Sequence, residues 1–297
     1  MGIRRLIRGK GRRTLALLAA AGLLAACAGL VLKLRPDLAV RAELRLGRLA
    51  GGIPLTPVDY GEPWLNLVPL SSIRQGKTSY TYSWDLLLIN PDHPLPADAA
   101  IPLSPYKDSG LSFYTGLNQP LSRLIQTVRE ETGDTLYVAS GLRSAEEQAA
   151  EYRADPALAM PPGASEHQSG LALDVYVEGY AGYGFLKSAA GRYVNKECWR
   201  EGFVIRYPDG GEDETGAPFE PWHLRYVGSP HAEILHKNGW TLEGYIERLE
   251  PYRFYTACGY VLCRQTADDG FLRIPVDWKE ARISPDNTGG YILTGKV

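Results

Sequence analysis

The sequence contains little histidine, methionine and cysteine, and these shortages narrow the kinds of site it can build. Among 297 residues there are five histidines, two methionines and four cysteines. No two cysteines have the C-x-x-C spacing, so the usual thiolate zinc site is excluded. The helix-borne zinc protease signature H-E-x-x-H is also absent. A metal site in this chain would have to combine a few histidines with carboxylates.

Net charge is also small, and it gives no reason to expect a nucleic acid partner. The chain has 32 Lys and Arg against 34 Asp and Glu, a formal charge of −2. Six of those basic residues, however, fall within residues 1–13, which contain no acid. Residues 14–32 follow without any charge and are long enough for a helix to cross a bilayer. We therefore expect a cytoplasmic segment (1–13), a transmembrane signal-anchor helix (14–32) that crosses the cell membrane once, and a remainder outside the cytoplasm.

Two other interpretations of the N-terminus stay open. A signal peptide could be cleaved, although residues 14–32 exceed the usual apolar region of about 7–15 residues. Leu24-Ala25-Ala26-Cys27 also resembles a bacterial lipobox, in which the cysteine becomes lipidated after cleavage. Elsewhere, Cys258 and Cys263 are close enough in sequence to bridge in an oxidising compartment.

Hydrophobic periodicity predicts a mixed α+β fold after residue 80. Apolar residues at helical spacing predict a helix over 121–131, and Ser144 with Glu147 predicts a capping box at the start of another. Strands are predicted at 135–139, 171–177, 203–207 and 223–227, and a helix broken near 238–239 is predicted over 231–249. We expect a small antiparallel sheet with flanking helices.

The same pass along the chain predicts further parts on either side of this fold. Residues 33–80 are predicted to form a stalk and lead-in, because glycines and prolines interrupt them and no periodicity is sustained. Residues 81–250, which contain these helices and strands, are predicted to form the main domain. Residues 251–297, rich in Tyr, Val and Ile with two turn sequences, predict a small β-rich appendage.

Three of the few metal-binding side chains could meet on neighbouring strands. His167 precedes the strand that carries Asp174, and His223 begins another strand. A catalytic zinc ion needs about three protein ligands and an open position for water. It also needs a carboxylate that takes the proton of this water, and Glu220 stands three residues before His223. Spacing alone makes this a hypothesis, since isolated histidines and aspartates are common.

A resemblance to a known family strengthens this hypothesis. Ser165-x-His167-x-x-Gly170-x-Ala172-x-Asp174 and Glu220-Pro221-Trp222-His223 resemble the double signature of the VanY-type D-alanyl-D-alanine carboxypeptidases. These are zinc peptidases of bacterial cell-wall metabolism that share the fold of the hedgehog signalling domain. The resemblance spans about residues 84–250 and includes three further segments. These are residues 90–95, 140–148 and 202–208.

The resemblance implies that residues 81–250 form a zinc carboxypeptidase catalytic domain, and it implies a role for each site residue. His167, Asp174 and His223 would bind Zn²⁺, and Glu220 would be the general base. Arg143 would stabilise the developing oxyanion. Two further residues, Ser165 and Gln148, would bind the substrate peptide. The implied activity is removal of the C-terminal D-alanine from peptidoglycan stem peptides, and we expect a monomer.

Three alternatives remain at this point. Related enzymes include LD-carboxypeptidases that act on tetrapeptide stems, and the residues that separate the two classes are not legible in one sequence. A non-catalytic wall-peptide binding module is also possible, but Glu220 favours catalysis. The S-x-x-K pattern of Ser104 and Lys107 would indicate a serine nucleophile, although prolines crowd it and no matching S-x-N element follows.

Overall fold

The computed structural model describes residues 35–49, 51–278 and 281–296. The chain divides into two compact units, residues 1–45 and 46–297. The described part of the first unit forms most of helix α1, with Pro36 at its first position and the Asp37 carboxylate bonded to Arg35. This placement suits proline, whose missing N–H would be unpaired there in any case. All other described elements belong to the second unit.

Eight helices and fourteen strands are present in the described residues. The helices are α1 (Pro36–Leu49), α2 (Leu70–Arg74), α3 (Asn118–Thr132), α4 (Ala145–Ala154), α5 (Ala189–Glu197), α6 (Glu212–Thr215), α7 (His231–Asn238) and α8 (Leu242–Arg248). The first seven strands are β1 (Thr56–Val58), β2 (Leu65–Pro69), β3 (Thr81–Tyr82), β4 (Leu103–Pro105), β5 (Ser112–Tyr114), β6 (Tyr137–Ser140) and β7 (Ala172–Tyr176). The others are β8 (Phe203–Ile205), β9 (His223–Tyr226), β10 (Phe254–Ala257), β11 (Tyr260–Gln265), β12 (Phe271–Pro275), β13 (Ala281–Pro285) and β14 (Tyr291–Lys296).

A four-stranded antiparallel sheet, in the order β6-β7-β9-β8, forms the centre of the predicted catalytic domain. One face packs on the apolar sides of α3 and α5. On β7 and beside it, Leu171, Leu173, Val175 and Val177 are all buried in this core, as their alternation predicts. The predicted fold class, a mixed α and β fold built on an antiparallel sheet, is confirmed.

Local sequence signals set the ends of several elements. The Ser144 hydroxyl accepts the Glu147 N–H (3.1 Å), and the Glu147 carboxylate accepts the Ser144 N–H (2.7 Å). This confirms the predicted capping box of α4. Helix α3 ends at Gly133 in the left-handed conformation (φ 76°), which glycine adopts without strain. The predicted break near 238–239 separates α7 from α8.

A second sheet joins the two ends of the second unit. Its order is β1-β10-β11-β14-β13-β3, so strands from residues 56–82 flank strands from residues 254–296. A two-stranded ladder, β2 with β12, adds a further pairing. In its later half, the segment predicted as a stalk therefore supplies strands and the buried Ile73. These strands are short, show little alternation and pair with strands about 200 residues away. The local sequence therefore does not predict them.

The C-terminal strands also pack directly on the catalytic domain. Tyr255, Leu262 and Ile292 share one buried cluster with residues of α7 and α8. An appendage with its own surface would not bury these side chains against its neighbour. The predicted domain limits, after residue 80 and after residue 250, stay predictions. Residues on the two sides of each limit nevertheless contact each other.

Two further expectations concern the membrane and the cysteines. No helix within 35–49, 51–278 and 281–296 is long and apolar enough to cross a membrane. The predicted transmembrane helix, residues 14–32, lies outside the described residues. Cys258 and Cys263 are both free thiols, so the bridge considered for them does not form.

A buried histidine links α7 to the C-terminal sheet. The His231 ring bonds through Nδ1 to the Tyr245 hydroxyl (2.7 Å) and through Nε2 to the Thr294 hydroxyl (2.9 Å). Burial, with a smaller contribution from the Arg282 guanidinium, lowers the pKa of His231 to about 3. The folded protein therefore keeps this ring neutral across the physiological pH range.

This lowered pKa predicts that acid weakens the fold. Below about pH 6.5 the unfolded chain protonates His231 and the folded chain does not, so stability is lost as pH falls. At pH 5 the loss amounts to about 2 kcal/mol. Urea unfolding at pH 7.5 and pH 5 should show this pH-dependent loss in the wild type and a smaller one in His231→Gln. Equal losses in both proteins would contradict the assignment.

Candidate metal centre

Asp174 lies at the middle of three paired strands. In the antiparallel register Asp174 is opposite His223 on β9 and opposite Ser140 on β6. Residues directly opposite each other point to the same face of a sheet. The face that carries Asp174 is the one turned away from the core, and it therefore holds the candidate ligands together.

His167 reaches this face from a short 3₁₀ turn, Glu166–Ser169, immediately before β7. The turn ends at Gly170 in the left-handed conformation (φ 71°). A Cβ there would stand 2.9 Å from the backbone N of Tyr114, so both conformation and space require glycine. The His167 Nδ1 atom bonds to the Gly141 carbonyl (2.8 Å), which leaves Nε2 directed at Asp174 Oδ2, 3.2 Å away.

These three side chains converge as metal ligands would. His223 Nδ1 lies 3.1 Å from Asp174 Oδ1, and ligand atoms of all three residues lie within 4.8 Å of one another. Asp174 Oδ1 is buried without a hydrogen-bond partner. Two imidazoles and one carboxylate match the three protein ligands of a catalytic zinc site, in which the fourth position belongs to water. The residues therefore fit the ion that the sequence predicted.

The electrostatics of the cluster also favour a cation. Burial alone would raise the pKa of Asp174, but the facing imidazoles, His167 first, hold it well below its usual range. Burial would lower the pKa of His223, but contacts with Asp174 and Glu166 raise it to about 10. Both shifts show that this pocket stabilises positive charge next to the Asp174 carboxylate.

Glu220 lies where a general base is needed. Its Oε2 is 3.7 Å from His223 Nδ1, in the turn that leads into β9. Its backbone N–H donates to the Tyr207 carbonyl (3.0 Å), which fixes the turn against the strand before it. Burial, reinforced by the Asp174 charge and opposed by His223, raises the pKa of Glu220 to about 7. A carboxyl group with such a pKa can accept and return a proton near neutral pH.

Arg143 supplies the cation beside the ligands, and Gln148 holds it there. The guanidinium donates to Gln148 Oε1 (2.7 Å) and Ser140 Oγ (3.0 Å) and lies 3.9 Å from Asp174 Oδ2. Gln148 is buried, and its amide nitrogen donates to the Met160 carbonyl (2.6 Å). Both ends of the Gln148 amide are thus engaged within the protein. Gln148 therefore positions Arg143, and its predicted contact with the substrate peptide stays a prediction.

Ser165 lies close to a candidate ligand, whereas the two residues of the S-x-x-K pattern make unrelated contacts. Ser165 is buried two residues before His167, at the start of the turn that carries this ligand. The Ser104 hydroxyl accepts from Asn118 Nδ2 (2.8 Å), and Lys107 lies over the Tyr106 ring. Neither contact activates a serine nucleophile, and the metal cluster remains the candidate site.

Comparisons with known proteins agree with this geometry. The family model described as VanY, D-alanyl-D-alanine carboxypeptidase, matches residues 114–229. A D-alanyl-D-alanine carboxypeptidase from Enterococcus faecium is 31% identical over 236 residues, which are 72% of this chain and 75% of the relative. This chain belongs to the D-alanyl-D-alanine carboxypeptidase family. The resemblance inferred from the sequence motifs is confirmed, and so is the predicted enzyme class, a metallo-carboxypeptidase.

Two solved structures are similar to this chain. VanYB in complex with D-alanine-D-alanine is 31% identical, with a TM-score of 0.50, and the match covers 57% of this chain and all of that one. The D,D-dipeptidase VanXYg, solved with a D-Ala-D-Ala phosphinate analogue, is 23% identical with a TM-score of 0.59. That match covers 83% of this chain and all of VanXYg, and it supports the fold.

A buried network of charged side chains lies behind the candidate metal ligands. It was not predicted from the sequence. Glu166 Oε1 accepts from Arg206 Nε (2.6 Å) and Arg225 Nη1 (2.7 Å), and its Oε2 faces His223 Nε2 at 3.9 Å. Glu243 accepts two bonds from the other guanidinium nitrogens of Arg206 (2.9 and 2.6 Å). The signal in the sequence was an arginine inside each of two apolar strands, in residues 203–207 and 223–227.

This network sets the charge around the metal ligands. Burial alone would raise the pKa of Glu166, but Arg206 and Arg225 outweigh it and hold the pKa far below its usual range. The carboxylate therefore stays ionised behind His223. Arg206 is buried and links this carboxylate to that of Glu243.

Removal of the Glu166 charge should destabilise the catalytic domain more than loss of a surface pair. Glu166→Gln leaves two buried guanidinium groups without their shared carboxylate, and breaking a buried pair costs about 3–5 kcal/mol. The matched control is Glu197→Gln, which removes an exposed pair with Arg200 and should change stability little. Urea unfolding of the zinc-loaded proteins measures both. A similar, small effect of the two substitutions would show that the network does not stabilise the fold.

Proposed function

We propose that this protein is a zinc-dependent D,D-carboxypeptidase that releases the C-terminal D-alanine of peptidoglycan stem peptides. The observation that carries the proposal is the convergence of His167, Asp174 and His223 beside Glu220, in a member of this carboxypeptidase family. The complex of VanYB with D-alanine-D-alanine supports the same substrate by similarity. Cleavage of a D-Ala-D-Ala end would release one D-alanine.

His167, Asp174 and His223 would bind a zinc ion, which would polarise the scissile carbonyl and lower the pKa of a water molecule. Glu220 takes the proton of the attacking water and returns it to the leaving amine, which the raised pKa of this carboxyl permits. The Arg143 guanidinium lies 3.9 Å from Asp174 Oδ2, beside the candidate ligands, where it would stabilise the negative charge that develops on the carbonyl oxygen. Gln148 and Ser140 prevent this guanidinium from turning away.

We further propose that the enzyme acts outside the cytoplasm, attached to the cell membrane by its N-terminal segment. The basic residues 1–13 followed by the uncharged residues 14–32 support this placement. So does the chemistry of the substrate, because cell-wall peptides lie beyond the membrane. A lipid anchor at Cys27 would place the enzyme on the same side.

Substitution of Glu220 tests the proposed chemistry. Zinc-loaded wild type should release D-alanine from a synthetic stem pentapeptide, and a chelator should abolish the release. Glu220→Gln should lower kcat by about 10²–10⁴-fold because the proton acceptor is lost. Mass spectrometry follows the released D-alanine, and elemental analysis follows the bound zinc.

Two controls sharpen this experiment. Glu212→Gln replaces a carboxylate on α6, an exposed helix, and should leave the rate unchanged. A tetrapeptide stem, which offers an L-centre before its D-alanine, should be a poor substrate. Release from the tetrapeptide alone would assign the enzyme to the LD class, and zinc binding without any release would indicate a binding module.

A further inference from the structure

Two tyrosines lie on the ligand-bearing face of the central sheet. Tyr176 follows Asp174 by two residues on β7, and successive side chains of a strand alternate, so both point to the same face. Tyr137 on β6 is directly opposite Tyr176. We call Tyr137 and Tyr176 the tyrosine platform. It continues the face that holds the metal ligands.

A β-bulge makes this arrangement possible. Tyr137 and Ser140 are three residues apart, and in a regular strand they would point to opposite faces. The register shifts between Val138 and Ser140, so that Tyr137 pairs with Tyr176 while Ser140 pairs with Asp174. The extra residue in β6 thereby brings both Tyr137 and the Ser140 hydroxyl that fixes Arg143 onto the catalytic face.

The tyrosine platform is ordered and open. The two rings stack with their centroids 5.4 Å apart and their planes 28° from parallel. Tyr137 is 43% exposed although stacking and the sheet hold its ring in place. An ordered aromatic surface loses little conformational entropy when a ligand covers it, and exposed aromatic groups beside a site commonly contact ligands.

The position of the platform decides which part of the substrate it can meet. Two residues along β7 correspond to about 7 Å from Asp174. A carboxypeptidase releases a single residue, and one residue spans only about 3.3–3.6 Å. The single leaving D-alanine therefore spans only about half of this distance. The acyl side of the stem peptide is longer, and the residue before the one whose carbonyl is attacked lies about this far from the scissile bond.

We propose that the tyrosine platform is a subsite for the third residue of the stem peptide, which carries a long side chain ending in an amine. The proposal rests on the proposed function. The aliphatic part of a lysine or diaminopimelate side chain would lie against the Tyr137 ring. Its ammonium group would be attracted to the electron-rich ring face.

The test compares a long and a short substrate in matched variants. The long substrate is a stem pentapeptide with lysine at the third position, and the short one is N-acetyl-D-Ala-D-Ala, which ends before the platform. Tyr137→Ala should lower kcat/KM on the pentapeptide by about 3- to 30-fold and leave the short substrate unchanged. Tyr137→Phe keeps the aromatic face and should retain most of the activity on both.

A control variant and a modified substrate complete the test. Tyr152→Ala removes an exposed tyrosine from α4 and should affect neither substrate. A pentapeptide with Nε-acetyl-lysine at the third position should be a poorer substrate for wild type but not for Tyr137→Ala. Equal losses of Tyr137→Ala on the long and short substrates, no loss on either, or undiminished wild-type activity on the acetylated peptide would overturn the proposal. Absence of activity on every substrate would instead count against the proposed carboxypeptidase function.

Discussion

The arrangement of the candidate site depends on the buried ion pairs that the Glu166 carboxylate forms with Arg206 and Arg225. A carboxylate without solvent is costly unless hydrogen-bonded cations compensate it, and here two guanidinium groups share one of its oxygens. Arg225 also donates to the Asp85 and Leu87 carbonyls (3.0 and 2.9 Å), which ties β9 to the start of the predicted catalytic domain. Because Glu166 precedes His167 and faces His223, this network holds the backbone of one metal ligand and the surroundings of another.

Pairing of short strands brings the residues of the candidate metal centre together. Asp174 is directly opposite one residue of each adjacent strand. The strand register, including the bulge in β6, therefore brings His223 and Ser140 next to it. His167 enters from the turn before the same strand. Rigid strands therefore carry most of the groups whose spacing matters, and such groups are held more accurately than groups on loops.

Sequence reasoning succeeded where the information was local. The Ser144 capping box depends on residues three apart, and the alternation of β7 depends on residues two apart. The candidate metal ligands could be selected because few histidines are present and because the motifs of a known family contain them. Glu166 was missed because its role depends on two arginines 40 and 59 positions later. Strands β1 and β3 were missed since their partners lie at the opposite end of the chain.

The long-range sheet has a consequence for the order of folding during synthesis. Thr56 pairs with Thr256, and Thr81 pairs with Arg282, so early strands must wait for about 200 further residues. Loop closure over such distances is slow, and unpaired strand edges are prone to aggregate meanwhile. A chain that stops before residue 254 would leave β1, β2 and β3 without partners. Synthesis of strands β10 to β13 is therefore the event that completes these sheets, and a chaperone would be most useful before it.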